Sequence, residues 1–542
     1  MKALHILFIL LLGAWHTDAQ YISSVNFPDT TQAIVEDSAD LSVKYAGTIN
    51  GADIKKHLDI LASDAFEGRE TGEPGNDKAS EYIANYFKSL QLEKKGENNS
   101  YFQPVAFTTT RWENTEMFIA GKRHKHLWDY LAFPSINNNI PFIGATEIIY
   151  LGYGIDDPKY NDYKGVNVKD KVIMIYNGEP MSIDSVSILT GSKTMSSWTT
   201  DPTKKLNRAY KAGAKLVLII ENDIKQKLND NRRILLGGQM ALGDLSKEEI
   251  KYPNHVYISP VTAQLIWGDK QNDILKARDN SKLKAKTKSI KIDQNFAIRM
   301  EKNQSVLKGK NILAYIEGTD KKDELIVVSA HYDHIGKRAD AVYNGADDNA
   351  SGTSSVLDIA EAFHLAKKNG EGPRRSILCM LVTGEEKGLL GSEYYSENPV
   401  FPIEQTVANI NVDMIGRIDE KYKDDPNYIY VIGSDRLSTD LHNINAEVNQ
   451  KYSQLVLDYT YNSEEDPNRF YFRSDHYNFA RKGVPAVFFF SGVHKDYHRT
   501  TDTADKILFD KTEKIARMIF HTAWELANRE DRIVVDGEVK TD

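Results

Sequence analysis

The sequence predicts an α/β protein whose sheet carries helices on both faces, interrupted by a smaller β-rich unit. Three observations predict it. From Asn311 onward, short apolar runs alternate with amphipathic stretches. The segments richest in His, Asp and Glu directly follow several of those runs. Between residues 121 and 295 the texture changes, with brief β-branched runs and little helical periodicity.

The chain begins as a leader. Lys2 is followed by an apolar run from Ala3 to Trp15, broken only by His5, and Thr17-Asp18-Ala19 offers a small residue before a cut at Gln20. This pattern predicts a signal peptide over residues 1–19 and an exported product, periplasmic or secreted from a bacterium. The run is short for a bilayer span, so no integral membrane span is expected once the leader is removed. Residues 20–50 read as a polar, irregular arm.

Residues 51–120 read as the first part of the main domain. Ile54, Leu58 and Leu61 share a helical face, and Ala79 to Leu90 forms a second amphipathic helix. The Gly-rich stretch Phe66 to Gly75 is the loop between them. In the insert, 121–295, strands are expected at Glu147–Leu151, Lys171–Tyr176, Leu216–Ile220 and Val256–Ile258, with a helix at Leu206–Ala212. Residues 268–292 are rich in Lys and Asp and read as a solvated return segment.

Residues 296–535 complete the main domain. Strands are expected at Ile312–Ala314, Leu325–Ser329, Ser376–Val382, Ala408–Val412, Tyr428–Val431 and Ala486–Phe490. Helices are expected at Ser351–Ala366, Gly391–Glu397, Leu437–Gln450 and Glu513–Ala527. The single cysteine, Cys379, sits inside an apolar strand, so it reads as a core residue and no internal disulfide exists. With 542 residues the chain can build a sizeable core without one. A net charge of -9 gives no basic surface for nucleic acid.

The chemistry lies at the strand ends, where open α/β sheets place their ligands. Leu325–Ser329 delivers His331, Ser376–Val382 delivers Glu385 and Glu386, and Ala408–Val412 delivers Asp413. Ala486–Phe490 leads through a loop to His498, and Asp348 precedes a helix. Any one of these is unremarkable alone: a loop His is usually structural, and adjacent Glu residues are usually solvated. Together they form a ligand set of His331, Asp348, Glu386, Asp413 and His498, suited to two Zn(2+) ions. Asp348 would bridge ions about 3.5–4 Å apart, sharing a water that spans both. Glu385, spared from ligation, is the expected general base. Asp333 is expected to fix the tautomer of His331 through its carboxylate, and Tyr497 to donate to the oxyanion. His334 and His494 read as loop residues outside the ligand set. Arg473 to His476 reads as a segment near the pocket or a locally hydrogen-bonded one.

These residues resemble the M28 family of zinc peptidases, in His331-Tyr332-Asp333, Asp347-Asp348-Asn349, Glu385-Glu386, Asp413 and His498, with Leu61 to Arg69 resembling its entry segment. The resemblance implies a mixed central sheet of zinc exopeptidase type and peptide substrates. The insert resembles a protease-associated (PA) domain in Gly152 to Ile155, Asp162 to Val166 and Ala209 to Ala214. An aminopeptidase is the expected activity, with an M28-type carboxypeptidase or dipeptidase as the alternative. A single-zinc glutaminyl cyclase and a non-catalytic receptor-like homologue fit less well, because the full ligand set and the base are present. Oligomeric state cannot be read from the sequence.

Overall fold

A computed structural model describes residues 40–245, 252–285 and 288–539. The leader expected over 1–19 and most of the arm over 20–50 lie outside the described residues. The chain divides into two compact units, one formed by Met1–Val105 with Gly309–Asp542 and the other by Ala106–Lys308. Both borders fall inside long strands, Phe102–Ile119 and Ile290–Ile316. The insert expected over 121–295 is therefore shorter than the unit it belongs to. A strand that continues past a unit's edge leaves no change of texture in the sequence.

In the first unit the sheet order is Val456–Asp458, Tyr428–Ile432, Ala486–Phe490, Thr406–Val412, Lys321–His331, Arg375–Val382 and the end of Ile290–Ile316. Lys321–His331 is parallel to both its neighbours, whereas Ile312 to Ile316 runs antiparallel to Arg375–Val382. Ala486–Phe490 has a parallel neighbour on one side and an antiparallel one on the other. The sheet is thus mixed, and its centre is buried on both faces, as continuous apolar strands require.

Alternation assigns the two faces. Ile326, Val328 and Ala330 pack with Val356 and Phe363 of the helix Gly352–Lys368 and with Ile519 of the helix Phe509–Asn528. Leu325 and Val327 face the other way, onto Tyr395 and Phe479. Each Val, Leu, Ile or Phe side chain among these contributes roughly 1.5–3 kcal/mol by leaving water. Cys379 lies in the first of these layers, and burial pushes its thiol up to about 12.

Part of the expected N-terminal arm is ordered and packed. Leu41–Ala46 is a helix capped by the Asp40 carboxylate, and Tyr45 stacks on Trp524 at 5.9 Å. The polar run around it concealed one buried turn. The return segment also differs: Gln271–Lys284 is a helix, with Ile274 and Ala277 buried beside Trp267. Its apolar stripe is one residue wide, too thin to stand out among the lysines.

In the second unit Ile140–Tyr150, Val172–Tyr176, Leu216–Ile220 and Asn254–Ile258 are consecutive parallel neighbours. The carboxylate of Asp162 accepts from the main-chain N–H groups of Tyr153 and Ile155, at 2.9 and 3.1 Å. Gly152 makes room for it, since a Cβ there would lie 2.2 Å from Asp162 Oδ1. Among the described residues no helix is long and apolar enough to cross a membrane.

Arg69 ties the first unit's leading segment to the strand ends. It is buried, and its guanidinium donates to the carbonyls of Tyr332, Leu61, Asn344 and Gly345 at 2.8, 2.5, 2.7 and 2.9 Å. Burial lowers its pKa to about 10, against the upward pull of Asp348, Asp502 and Asp333. Gly68 before it takes φ +67, where a Cβ would collide with the carbonyl of Tyr343 at 2.4 Å. Arg69→Lys cannot serve all these carbonyls. It is expected to cost about 2–4 kcal/mol, measured as a lowered unfolding midpoint in urea; an unchanged midpoint would refute this role.

Candidate metal centre

The carboxyl ends of three parallel strands meet above the sheet. Lys321–His331 ends on His331, Thr406–Val412 ends one residue before Asp413, and Arg375–Val382 leads into the short turn Glu385–Lys387. The helix Gly352–Lys368 points its start at the same place, with Asp348 just ahead of it. The sequence-predicted residues His331, Asp348, Glu385, Glu386, Asp413 and His498 all arrive there, in two adjoining clusters.

The first cluster surrounds His331 Nε2. Asp413 Oδ1 lies 3.3 Å away, Asp348 Oδ1 3.5 Å and Glu385 Oε2 3.9 Å. The second surrounds Glu386 Oε1 and Asp348 Oδ2. His498 Nε2 lies 3.2 and 3.1 Å from these two oxygens. His334 Nδ1 lies 2.9 and 3.6 Å from the same pair. Asp348 therefore offers one carboxylate oxygen to each cluster, as a bridging ligand does. Mixed imidazole and carboxylate donors at this spacing fit zinc or a similar divalent ion.

His334 is the residue the sequence reading placed outside. It is fully buried. The spacing His331-Tyr332-Asp333-His334 just past a strand end was the available signal. Asp333 is also placed differently from expectation. The carbonyl of Asp333, not its carboxylate, lies 3.0 Å from His331 Nδ1, and the carboxylate is 3.8 Å away. The carboxylate instead accepts from Thr71 Oγ1 at 2.8 Å and from the N–H groups of Glu385 and Glu386 at 3.2 and 3.4 Å. It fixes the turn carrying both glutamates.

Further supports surround the clusters. Ser474 Oγ donates to Asp413 Oδ2 at 2.8 Å, which leaves Oδ1 facing His331. Asp502 accepts from the N–H groups of Asp347 and Asp348 at 3.0 and 3.2 Å. Asp347 accepts from Gly416 N at 2.6 Å, and its other oxygen lies 3.2 Å from His494 Nε2. Asn349 accepts from Gly352 N and Met414 N and donates to the carbonyl of Val412. Arg417 pairs with Asp496 at 3.0 Å. His476 is buried and stacks on Phe488.

The charges are strongly coupled to this setting. Burial raises the carboxyl of Glu385 well above its usual range, and Glu386 and Asp413 add to it. Burial opposes ionisation of Glu386 too, but His334 and His498 pull its carboxyl well below the usual range. Burial disfavours charge on His498, yet Asp348 and Glu386 raise its pKa to about 10. Tyr497 stacks on His498 at 3.9 Å, and burial raises its phenol above the usual value. The clusters open onto a small pocket of mixed lining, with Met414, Phe470, Phe488, Phe490 and Val493 as its apolar part and Glu385, Asp413, Arg473 and His498 among its polar part.

Comparison with known proteins places this geometry. Residues 311–523 match Peptidase family M28. A probable leucine aminopeptidase of Arthroderma otae is 30% identical over 236 residues, 42% of this chain and 61% of that protein. Aminopeptidase YwaD of Bacillus subtilis is 24% identical over 304 residues, 53% of this chain and 58% of its own. The chain thus spans about three-fifths of the length of these curated relatives. An aminopeptidase from Aneurinibacillus sp. strain AM-1 shares the fold at a TM-score of 0.53 and 20% identity, covering 92% of this chain and 98% of that one. The clusters, and the strands that deliver them, fall inside residues 311–523, the segment that matches this family.

Proposed function

We propose that the protein is an exported di-zinc aminopeptidase. The observation that carries this reading is the pairing of two ligand clusters, joined by Asp348, with a pocket lined by Phe470, Phe488 and Phe490 and by the carboxylates of Glu385 and Asp413. His331, Asp413 and Asp348 would hold one zinc, and Asp348, Glu386 and His498 the other. When bound, the ions supply Lewis-acid polarisation of a peptide carbonyl and lower the pKa of water.

The chain's own residues supply the remainder. Glu385 stands at the first cluster without being needed as a ligand, and its raised basicity suits it to take a proton from the attacking water. It then returns that proton to the leaving amine. Tyr497 stays protonated, so its hydroxyl can donate to the oxyanion as the carbonyl becomes tetrahedral. Glu385 and Asp413 give the substrate's α-ammonium an acidic neighbourhood. The aromatic pocket beside them receives the N-terminal side chain and excludes water from it.

Export rests on the leader pattern of residues 1–19. A PA-like identity for the second unit rests on its Gly152 to Ile155 and Asp162 to Val166 segments, joined through the Asp162 carboxylate. A carboxypeptidase needs cations for a terminal carboxylate. Arg417 is occupied by Asp496, which leaves Arg473 as the cation lining the pocket.

Rates on aminoacyl-p-nitroanilides with free and N-acetylated amines test the reading. Only free-amine forms are expected to be cleaved, with leucyl favoured over glycyl by about 100-fold or more. A zinc-loaded protein that cleaves neither form would point to a carboxypeptidase or dipeptidase. Glu385→Gln is expected to lower kcat by about 10²–10⁴-fold while zinc content, measured by plasma mass spectrometry, stays unchanged. Near wild-type turnover would remove Glu385 from the role of base.

A further inference from the structure

The second cluster holds more donors than the proposed ligand set requires. Around Glu386 Oε1 and Asp348 Oδ2 stand two imidazole nitrogens, His498 Nε2 and His334 Nδ1, at 2.9–3.6 Å. The Glu386 oxygen and both ring nitrogens of His334 make no hydrogen bond despite complete burial. A buried polar group without a hydrogen bond is costly. These atoms approach one another without hydrogen-bond geometry, as donors do when they aim at a common point between them.

The ring of His334 is held in that aim. A Cβ on Gly345 would lie 2.5 Å from both Cγ and Cδ2 of the imidazole, so Gly345 lies directly against it. Its main-chain N–H donates to the carbonyl of Arg69 at 3.3 Å. Side chain and backbone are therefore both positioned before any ion arrives.

We propose that His334 is a further metal ligand, completing a four-donor site with Asp348, Glu386 and His498. Zinc sites with four protein donors are closed and structural in character, whereas catalytic sites keep one position open. The two sites would then divide the work. The second retains its ion tightly. The first, with His331, Asp413 and the other oxygen of Asp348, keeps the open position, and Glu385 stands beside it at 3.9 Å from His331 Nε2. This rests on the two-metal reading above.

The test uses full-length protein stripped by chelation and titrated with zinc or cobalt(II). The unmutated protein is expected to take up two equivalents, one much more tightly. His334→Ala is expected to lose the tight class, with affinity down by about 100-fold or more, beyond the roughly 10–100-fold typical of a residue that only orients a ligand. His334→Gln, which keeps a hydrogen-bond donor of similar size, is expected to lose it as well. Wild-type affinity in either variant would overturn the proposal. A measurement without mutation guards against misfolding: with one equivalent of copper(II) bound, pulsed EPR should count two imidazoles, and a count of one would also overturn it. Uptake of fewer than two ions by the unmutated protein would sink the two-metal reading itself, a different result from any of these.

Discussion

The first unit is organised around buried negative charge. Asp333, Asp347, Asp348, Glu386, Asp413, Asp475 and Asp502 are all buried at one end of the sheet, with Glu385 beside them. Isolated carboxylates cannot be carried into a protein interior without compensation. Part of it comes from main-chain N–H groups, as at Asp333 and Asp502. Part comes from imidazoles and from the single guanidinium of Arg69. Burial also raises Asp475 to about 7 and Asp502 to about 6, the direction in which crowded buried carboxyls shift. Divalent cations are the natural counterpart of such a surplus, which is why the site's chemistry and the fold's electrostatics are one problem.

That constraint explains why the supports are as specific as the ligands. Ser474 occupies one oxygen of Asp413 and so decides which oxygen faces His331. Thr71, from the chain before the second unit, fixes Asp333, and Asp333 fixes the turn bearing both glutamates. Adjacent Glu386 and Glu385 differ in their surroundings. Glu386 faces two imidazoles and is drawn towards the anion, whereas burial raises Glu385, with His331 opposing and Glu386 and Asp413 adding to the rise.

Much of this was legible in the chain. Ala486–Phe490 and Leu216–Ile220 stand out because every residue in them is apolar and turn residues bound them. The six residues from His331 to His498 proposed as ligands and base do converge in space, as residues that follow the ends of parallel strands can. What was hidden depended on partners distant in sequence. Leu41–Ala46 is stabilised by Trp524, and Gln271–Lys284 by Trp267 and its neighbours, which periodicity cannot reveal. His334 was passed over because five ligands already sufficed. The hydrogen bond at His331 fell to the Asp333 carbonyl because side-chain pattern says nothing about where a main-chain oxygen points.

The first unit is discontinuous, and its two pieces are joined by contacts of very high sequence separation. Ser42 meets His521 across 479 positions, and Arg69 meets Tyr332 across 263. Among the described residues, the leading piece contributes no strand to the central parallel group and no side chain to the two clusters. Its helices therefore wait, with apolar faces exposed, until residues near the other end of the chain are free to pack on them, whereas the second unit has core clusters of its own and can collapse earlier. Maturation of this protein is thus a matter of timing, with an early autonomous middle and a late closure of the ends, and chaperone dependence should concentrate on the stretch made first.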